Sequence, residues 1–255
     1  MPTALALSPH LDDAAFSCGG LLATLAARGW RVIVATAFTA SVPNPTGFAL
    51  ACQLDKGLSA GVDYMALRRE EDRIAAQALG IEAPVWLPFA EAPHRGYHSA
   101  RALFEEAPTG DDVLPGLAGA LSGLFGQFDP DLLLAPQAVG GHVDHVQLVR
   151  AMDQVGPTAS TIWWRDFPYT VREASPKEPF QERAGRWPAR EILLAPGAVQ
   201  SKRAACHAYL SQIGFQFGGA AGLNARLDFE RGRERFQLEA KPGRGIDLDD
   251  VCASA

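Results

Sequence analysis

The sequence predicts an α/β fold of the Rossmann type, a mainly parallel sheet with helices on both faces and a site at the carboxyl ends of its strands. Three observations point to it. Short apolar runs rich in Val, Ile and Leu recur without polar alternation, as strands buried on both faces require. Helical segments with one apolar face separate them. Near the amino end, strand, helix and strand follow within about 35 residues, the length of one right-handed βαβ unit.

Residues 3–8 (TALALS) are the first expected strand and residues 14–28 the first helix, rich in Ala and Leu and stopped at Gly29. Residues 31–38 (RVIVATAF) are β-branched and read as the second strand. Residues 39–62 carry Pro, Gly and Asn without a period and are expected to be a loop. In residues 64–79 (YMALRREEDRIAAQAL), Met65, Ile74, Ala75, Ala78 and Leu79 can share a helix face, with Gly80 as cap. Residues 84–89 (PVWLPF) are the third expected strand. Residues 90–112 are a long polar loop, a feature that is usually functional in a compact domain. A Gly-interrupted helix over 114–127, a turn at Asp129-Pro130, a strand at 131–135 (DLLLA) and a helix over 142–152 come next. Later strands are expected at 161–164 and 190–195, and a helix at 199–212. The tail after about 240 reads as irregular. With no repeat or low-complexity tract, residues 1–255 are expected to form one domain.

Composition narrows the function classes. Apolar residues at 47% and charged residues at 20% are ordinary for a globular enzyme. A net charge of −6 disfavours a nucleic-acid binder, which needs a basic footprint. Cys18, Cys52, Cys206 and Cys252 are scattered and form no CxxC pair, so a reducing compartment is expected rather than a disulfide framework. The apolar run at residues 4–7 is too short for a secretory signal. No apolar stretch reaches the roughly 18 residues of a membrane span, and a cytoplasmic location is expected.

Two polar clusters fall at the carboxyl ends of expected strands, where such sheets bind ligands. The first, SPHLDD, holds His10, Asp12 and Asp13. Its plainer reading is a helix-capping Asp beside a solvated His. The second, GGHVDH, holds His142, Asp144 and His145. If His142 opens a helix, it stands three residues from His145 on one face; the plainer reading is a polar helix start. Together they offer the His and carboxylate donors of a catalytic metal site, which takes three protein ligands and leaves a position for water. The rival is a nucleotide- or cofactor-binding α/β domain, but Gly19-Gly20 lacks the G-x-G-x-x-G spacing and Asp12-Asp13 would repel phosphate.

SPHLDDAAFSCGG resembles the first motif of the PIG-L/LmbE-type de-N-acetylases, and GGHVDH resembles their second. LRREEDRIAAQALG (67–80), DFPY (166–169) and KRAACHAYLSQ (202–212) resemble further family segments, so the likeness spans roughly residues 3–212. The resemblance implies a hydrolase that removes an N-acetyl group from a small N-acetylated sugar conjugate and releases acetate. The alternative substrate is a non-sugar acyl amide or ester. It implies His10, Asp13 and His145 as zinc ligands, with ferrous iron as the alternative such a set admits. It implies Asp12 as general base. His142 would be the protonated group that meets the oxyanion and the leaving nitrogen, and Asp144 would hold His142. Relatives often assemble as homo-oligomers, so that option comes with the resemblance.

Two departures stand out. Ala14 replaces a frequent Glu, and Gly140 stands where some relatives carry a Tyr that assists the oxyanion. Tyr97 and Tyr169 are the candidate replacements. Arg68 is a candidate substrate-binding residue, its plainer reading being a solvated charge paired with Asp72. His94, Arg95, Tyr97 and His98 are candidates for a substrate-selecting lid, against an ordinary surface loop. Trp163-Trp164 and Phe215 with Phe217 read as core rather than as sugar-stacking platforms.

Overall fold

The computed structural model describes residues 1–108, 110–172, 174–241, 247 and 250–251. The irregular tail expected after about 240 falls almost wholly outside the described residues, as does Cys252. The elements in chain order are β1 (Thr3–Ser8), α1 (Asp13–Ala27), β2 (Arg31–Thr36), α2 (Gly47–Leu54), α3 (Tyr64–Leu79) and β3 (Val85–Trp86). Then come α4 (Val113–Phe128), β4 (Leu132–Pro136), α5 (Val143–Val155), β5 (Ser160–Trp164), α6 (Tyr169–Arg172) and α7 (Gln181–Ala184). The chain continues with β6 (Ala189–Leu193), α8 (Pro196–Ala208), α9 (Leu210–Phe217), α10 (Ala220–Glu230) and β7 (Arg233–Glu239). Two 3₁₀ turns, Ala92–His94 and Ala102–Phe104, interrupt the 90–112 loop.

The strands form one sheet in the order β3-β2-β1-β4-β5-β7-β6. From β3 to β5 every pairing is parallel, and β7 pairs antiparallel with both β5 and β6. Strand order reverses direction between β1 and β4, which makes the crevice beyond their carboxyl ends the natural ligand site. Both polar clusters follow these two strands.

Alternation within each strand decides which helices lie on which face. Ala4 and Ala6 of β1, with Val32, Val34, Leu132 and Leu134, pack under α1, α3 and α8. The intervening Leu5, Leu7, Ile33 and Leu133 pack against α4 and α5. The small residues of β1 bring α1 close to the sheet. Gly20 in that helix is needed for packing, since a Cβ there would lie 2.1 Å from Leu194 Cδ1. α1 is kinked at Cys18, and the Gly20 and Leu21 amides beyond the kink donate to the Glu234 carboxylate, each at 2.9 Å. Lys202 pairs with the same carboxylate at 2.7 Å, which balances its buried charge.

Several expectations are corrected. The loop over 39–62 contains α2. The third strand is only two residues long. The helix expected over 199–212 is two helices, α8 and α9, broken at Tyr209 with φ −84° and ψ 60°. α10 and β7 had no counterpart in the sequence reading. In β7 the inward positions are Glu234, Phe236 and Leu238, so a buried charge disguises the strand pattern. Trp163 and Trp164 are core, as expected, whereas Phe215 is 58% exposed. No helix among the described residues is long and apolar enough to cross a membrane.

Candidate active site

The turn after β1 is shaped by Ser8, whose hydroxyl donates to the His10 carbonyl at 2.7 Å and accepts the Ala14 amide at 3.1 Å. The His10 amide donates to Asp13 Oδ2 at 2.8 Å. Asp12 occupies the N-cap of α1, yet its side chain makes no capping bond. It turns instead to the cavity, where Arg68 Nη2 lies 3.3 Å from Oδ1 and Gln216 Nε2 donates to Oδ2 at 2.8 Å. The capping reading of this cluster is thereby set aside.

The turn after β4 carries left-handed backbone at Ala138, Gly140 and Gly141, then His142 at the N-cap of α5 rather than inside it. His145 faces back toward β1. Its Nδ1 lies 2.7 Å from Asp166 Oδ1, and Asp166 Oδ2 accepts the Val139 amide at 2.9 Å. With Nδ1 directed at Asp166, Nε2 is the atom turned toward Asp13. That atom is fully buried and has no hydrogen-bond partner among the described residues.

Asp13 Oδ2 lies 3.2 Å from His10 Nδ1 and 3.2 Å from His145 Nε2. The far nitrogen of His10, Nε2, lies 2.9 Å from Asp144 Oδ2. The ring nitrogens of His10, His142 and His145 are within 4.8 Å of one another. Two imidazoles and a carboxylate therefore converge, each imidazole backed by its own carboxylate, the arrangement that orients metal-bound His. The donor set fits a divalent cation, and the orphaned His145 Nε2 is the clearest mark of the fit. The electrostatics agree. Burial alone would lower the pKa values of both His, but Asp13, Asp144 and Asp166 outweigh it, raising His10 and carrying His145 to about 9. The negative field that keeps protons on these rings is the field a cation would neutralise.

The remaining members differ more from expectation. Burial drives His142 down to about 3, so its ring is neutral rather than protonated. The Asp144 backbone amide donates to His142 Nδ1 at 3.2 Å, which leaves the proton on Nε2. Asp144 thus holds His142 through its amide, while its carboxylate serves His10, the Ala92 amide at 3.1 Å and Arg95 at 2.8 Å. The sequence reading gave that carboxylate to His142, the neighbour in the motif. The turn places it instead against a residue 134 positions away. Burial works to raise Asp144, but the bond from His10 and the charge of Arg95 hold it far below the usual range. Asp12 moves the other way: burial carries it to about 6 against the pull of Arg68.

Above these groups opens a cavity of about 310 Å³. Its lining combines the polar groups of the two motifs with the apolar side chains of Phe48, Leu103, Phe104 and Phe215. Arg68 lines it and is only 3% exposed, pairing with Asp12 and Glu91 rather than Asp72. Asp72 is taken by Trp86 and Tyr209, each at 2.8 Å. His94, Arg95 and Tyr97 are not among the lining residues, which corrects the lid expectation. Arg95 braces Asp144 and Asp111, and the Tyr97 hydroxyl donates to Asp111 at 2.7 Å. The same loop lines the cavity through Glu91, Pro93, Ala100, Leu103 and Phe104.

Tyr97 is therefore committed elsewhere, and of the two candidate tyrosines it is Tyr169 that lines the cavity. It lines the cavity with its ring edge-on to His145 at 5.7 Å between centroids. A Cβ on Gly140 would lie 2.6 Å from that ring, and Gly140 has φ +95°. The ring thus occupies the space that any side chain at 140 would need. Gly140→Ala is expected to cost about 1–3 kcal/mol in urea unfolding, from strained backbone and the displaced ring. An unchanged midpoint would contradict this packing.

Asp166, Glu91 and Gln216 carry no role in the sequence reading, whereas Tyr169 is one of its two candidate oxyanion tyrosines. Asp166 and Tyr169 sit in the DFPY segment already singled out, whereas Gln216 sits on α9 beyond the end of the helix expected over 199–212.

A family model described as PIG-L, GlcNAc-PI de-N-acetylase, matches residues 5–155. The 2'-N-acetylparomamine deacetylase of Streptomyces fradiae is 35% identical over 213 residues, covering 82% of this chain and 72% of that protein. A deacetylase of teicoplanin biosynthesis, solved as its bog complex, superposes with a TM-score of 0.80 at 26% identity, covering 94% of this chain and 100% of the other. The zinc-inhibited form of teicoplanin deacetylase superposes with a TM-score of 0.79 at 25% identity, with the same coverage.

Proposed function

This chain belongs to the PIG-L family of de-N-acetylases, and on that premise we propose that it is a zinc hydrolase acting on a small N-acetylated amino-sugar conjugate. The reaction class, hydrolysis of the amide bond of an N-acetyl group, is that of its relatives. The observation that carries the reading is the convergence of His10 Nδ1, Asp13 Oδ2 and His145 Nε2 beneath a cavity that also receives Asp12. At about 310 Å³, that cavity is at the small end of ligand sites, suited to one sugar ring and its acetamide. The whole chain, 1–255, is taken as one catalytic unit.

In this reading His10, Asp13 and His145 hold the cation, and Asp144 and Asp166 orient the two imidazoles. A cation held there supplies Lewis acidity, polarising the acetyl carbonyl and acidifying water. Asp12, fixed by Arg68 and Gln216, takes the proton of the attacking water. Its pKa near 6 suits a base that works at neutral pH. The Nε2–H of neutral His142 donates to the developing oxyanion. The proton gained by Asp12 passes to the leaving nitrogen as the C–N bond breaks, so water and amide become acetic acid and amine, which ionise to acetate and ammonium. Burial raises the Tyr169 phenol well above its usual range and keeps it protonated, a second donor at the same face. Tyr169→Phe is expected to lower kcat about 10²-fold with metal content unchanged. An unaltered kcat would remove Tyr169 from the oxyanion site.

The test is release of acetate and primary amine from 2'-N-acetylparomamine and from simple N-acetylglucosaminides. Equal amounts of both products from at least one of these sugars are expected. Products from non-sugar acyl amides alone would overturn the sugar assignment.

A further inference from the structure

The 3₁₀ turn Ala102–Phe104 is seated against the start of α5. Ala102 and Leu103 pack on the buried cluster of Ala92, Tyr97 and Val143, and Val143 directly follows His142. From that seat the Phe104 ring meets the His142 ring edge-on at 5.4 Å between centroids and the Tyr169 ring at 6.1 Å. One aromatic side chain thus packs on both groups assigned to the oxyanion, and it lines the cavity together with Leu103.

Lys177 straps this wall to the turn that follows β4. Its Nζ donates to the Phe104 carbonyl at 2.9 Å, and its own carbonyl accepts the Gly140 amide at 2.7 Å. Its side chain also fills the space beside Gly141, where a Cβ would lie 2.8 Å from Lys177 Cδ. The spacing between Phe104 and His142 is therefore set twice, by packing on Val143 and by the Lys177 strap.

Three groups leave the acetyl carbonyl carbon. The oxygen belongs at His142 and Tyr169. The nitrogen belongs on the Asp12 side, since Asp12 returns the proton to it. Arg68 and Gln216 make that side polar. Phe215 lies there too, because Lys56 Nζ joins its ring to that of Tyr64, and Arg68 covers the Tyr64 ring. The methyl group gains only from apolar contact. The apolar surface beside the oxyanion donors is that of Leu103 and Phe104.

We propose that Phe104, with Leu103 beside it, is the wall that meets the acyl methyl group and measures acyl length, so that acetyl is selected over longer N-acyl groups. A propionyl or butyryl chain would have to displace a ring packed against His142 and Tyr169, and overfilling a fixed apolar site is costly. One methylene changes such discrimination by about 10-fold or more. The inference rests on the deacetylase reading above.

The experiment measures kcat/KM on the N-acetyl, N-propionyl and N-butyryl forms of one glucosaminide. The proteins are the metal-loaded wild type, Phe104→Ala, Phe104→Leu and Phe215→Ala. Phe104 is 36% exposed, so its truncation opens no sealed core cavity and the variants should fold. A loosened His142 lowers the rate on every acyl group alike, so the butyryl-to-acetyl ratio isolates the wall. The wild type is expected to lose at least about 10-fold from acetyl to propionyl. Phe104→Ala should raise the butyryl-to-acetyl ratio at least about 10-fold, Phe104→Leu should raise it less, and Phe215→Ala should leave it as in the wild type. A wild type that takes butyryl as readily as acetyl, a ratio unchanged in Phe104→Ala, or an equal rise in Phe215→Ala would overturn the inference. A wild type that releases acid from none of the three would instead overturn the deacetylase reading, and this inference with it.

Discussion

Asp12→Asn is expected to lower kcat/KM by about 10²–10⁴-fold while leaving bound metal unchanged. Asn keeps the size and one acceptor oxygen, enough for one of the Arg68 and Gln216 contacts, and cannot take a proton. Asp12 is not one of the converging donors, so metal content should match the wild type. The pH profile gives a second check. The active form is the carboxylate, so activity is present above the Asp12 pKa and is lost as pH falls through it. Burial sets that limb at about 6, with Arg68 opposing, and a cation beside it draws it lower. The limb should disappear from the residual activity of Asp12→Asn. Retained activity, or an unaltered acid limb in the variant, would show that another group is the base.

His145→Ala is expected to abolish metal binding and, with it, turnover. The ring contributes Nε2, a buried atom with no hydrogen-bond partner among the described residues, and its loss leaves Asp13 and Asp166 facing each other without it. Two buried carboxylates without the intervening cation repel, so stability should fall as well. The variant should melt lower than the wild type at neutral pH, with the gap narrowing under acid conditions that protonate the carboxylates. Equilibrium dialysis against zinc checks the binding, and circular dichroism checks the fold. A folded variant that binds zinc as the wild type does would remove His145 from the ligand set.

The parts of the fold that could be read from sequence are those where a local pattern and the final burial coincide. β1, β2, β4 and β5 are apolar runs because they are covered on both faces, and α3 is marked by the left-handed Gly80, although Ile74 of its expected face is 43% exposed and Arg68, Glu71 and Asp72 are buried instead. β7 could not be read because Glu234 occupies an inward position, and its charge makes sense only beside Lys202 and the kinked α1. α2 hides among Pro, Asn and Gly, and the break at Tyr209 has no Gly or Pro to mark it. The site divides the same way. His10, Asp12, Asp13, His142 and His145 lie within two short motifs whose spacing is itself the signal. Their partners come from distant segments: Asp166 from the end of β5, Arg68 and Glu91 across from the base, and Gln216 from α9. The Asp144 carboxylate was misassigned because its motif neighbour looked closer than His10. Arg95 and Tyr97 read as substrate-facing in the sequence because a polar loop gives no sign of which side chains turn inward.

The most direct test is the metal content per chain, by elemental analysis after reconstitution, of the wild type and of Asp13→Ala. Asp13 Oδ2 stands between both imidazoles, so its removal should empty the site while leaving the sheet intact. About one divalent ion per wild-type chain, lost in a folded Asp13→Ala, is the predicted result. A well-folded wild type that takes up no metal when zinc or ferrous iron is supplied, or a variant that retains the full complement, would contradict it.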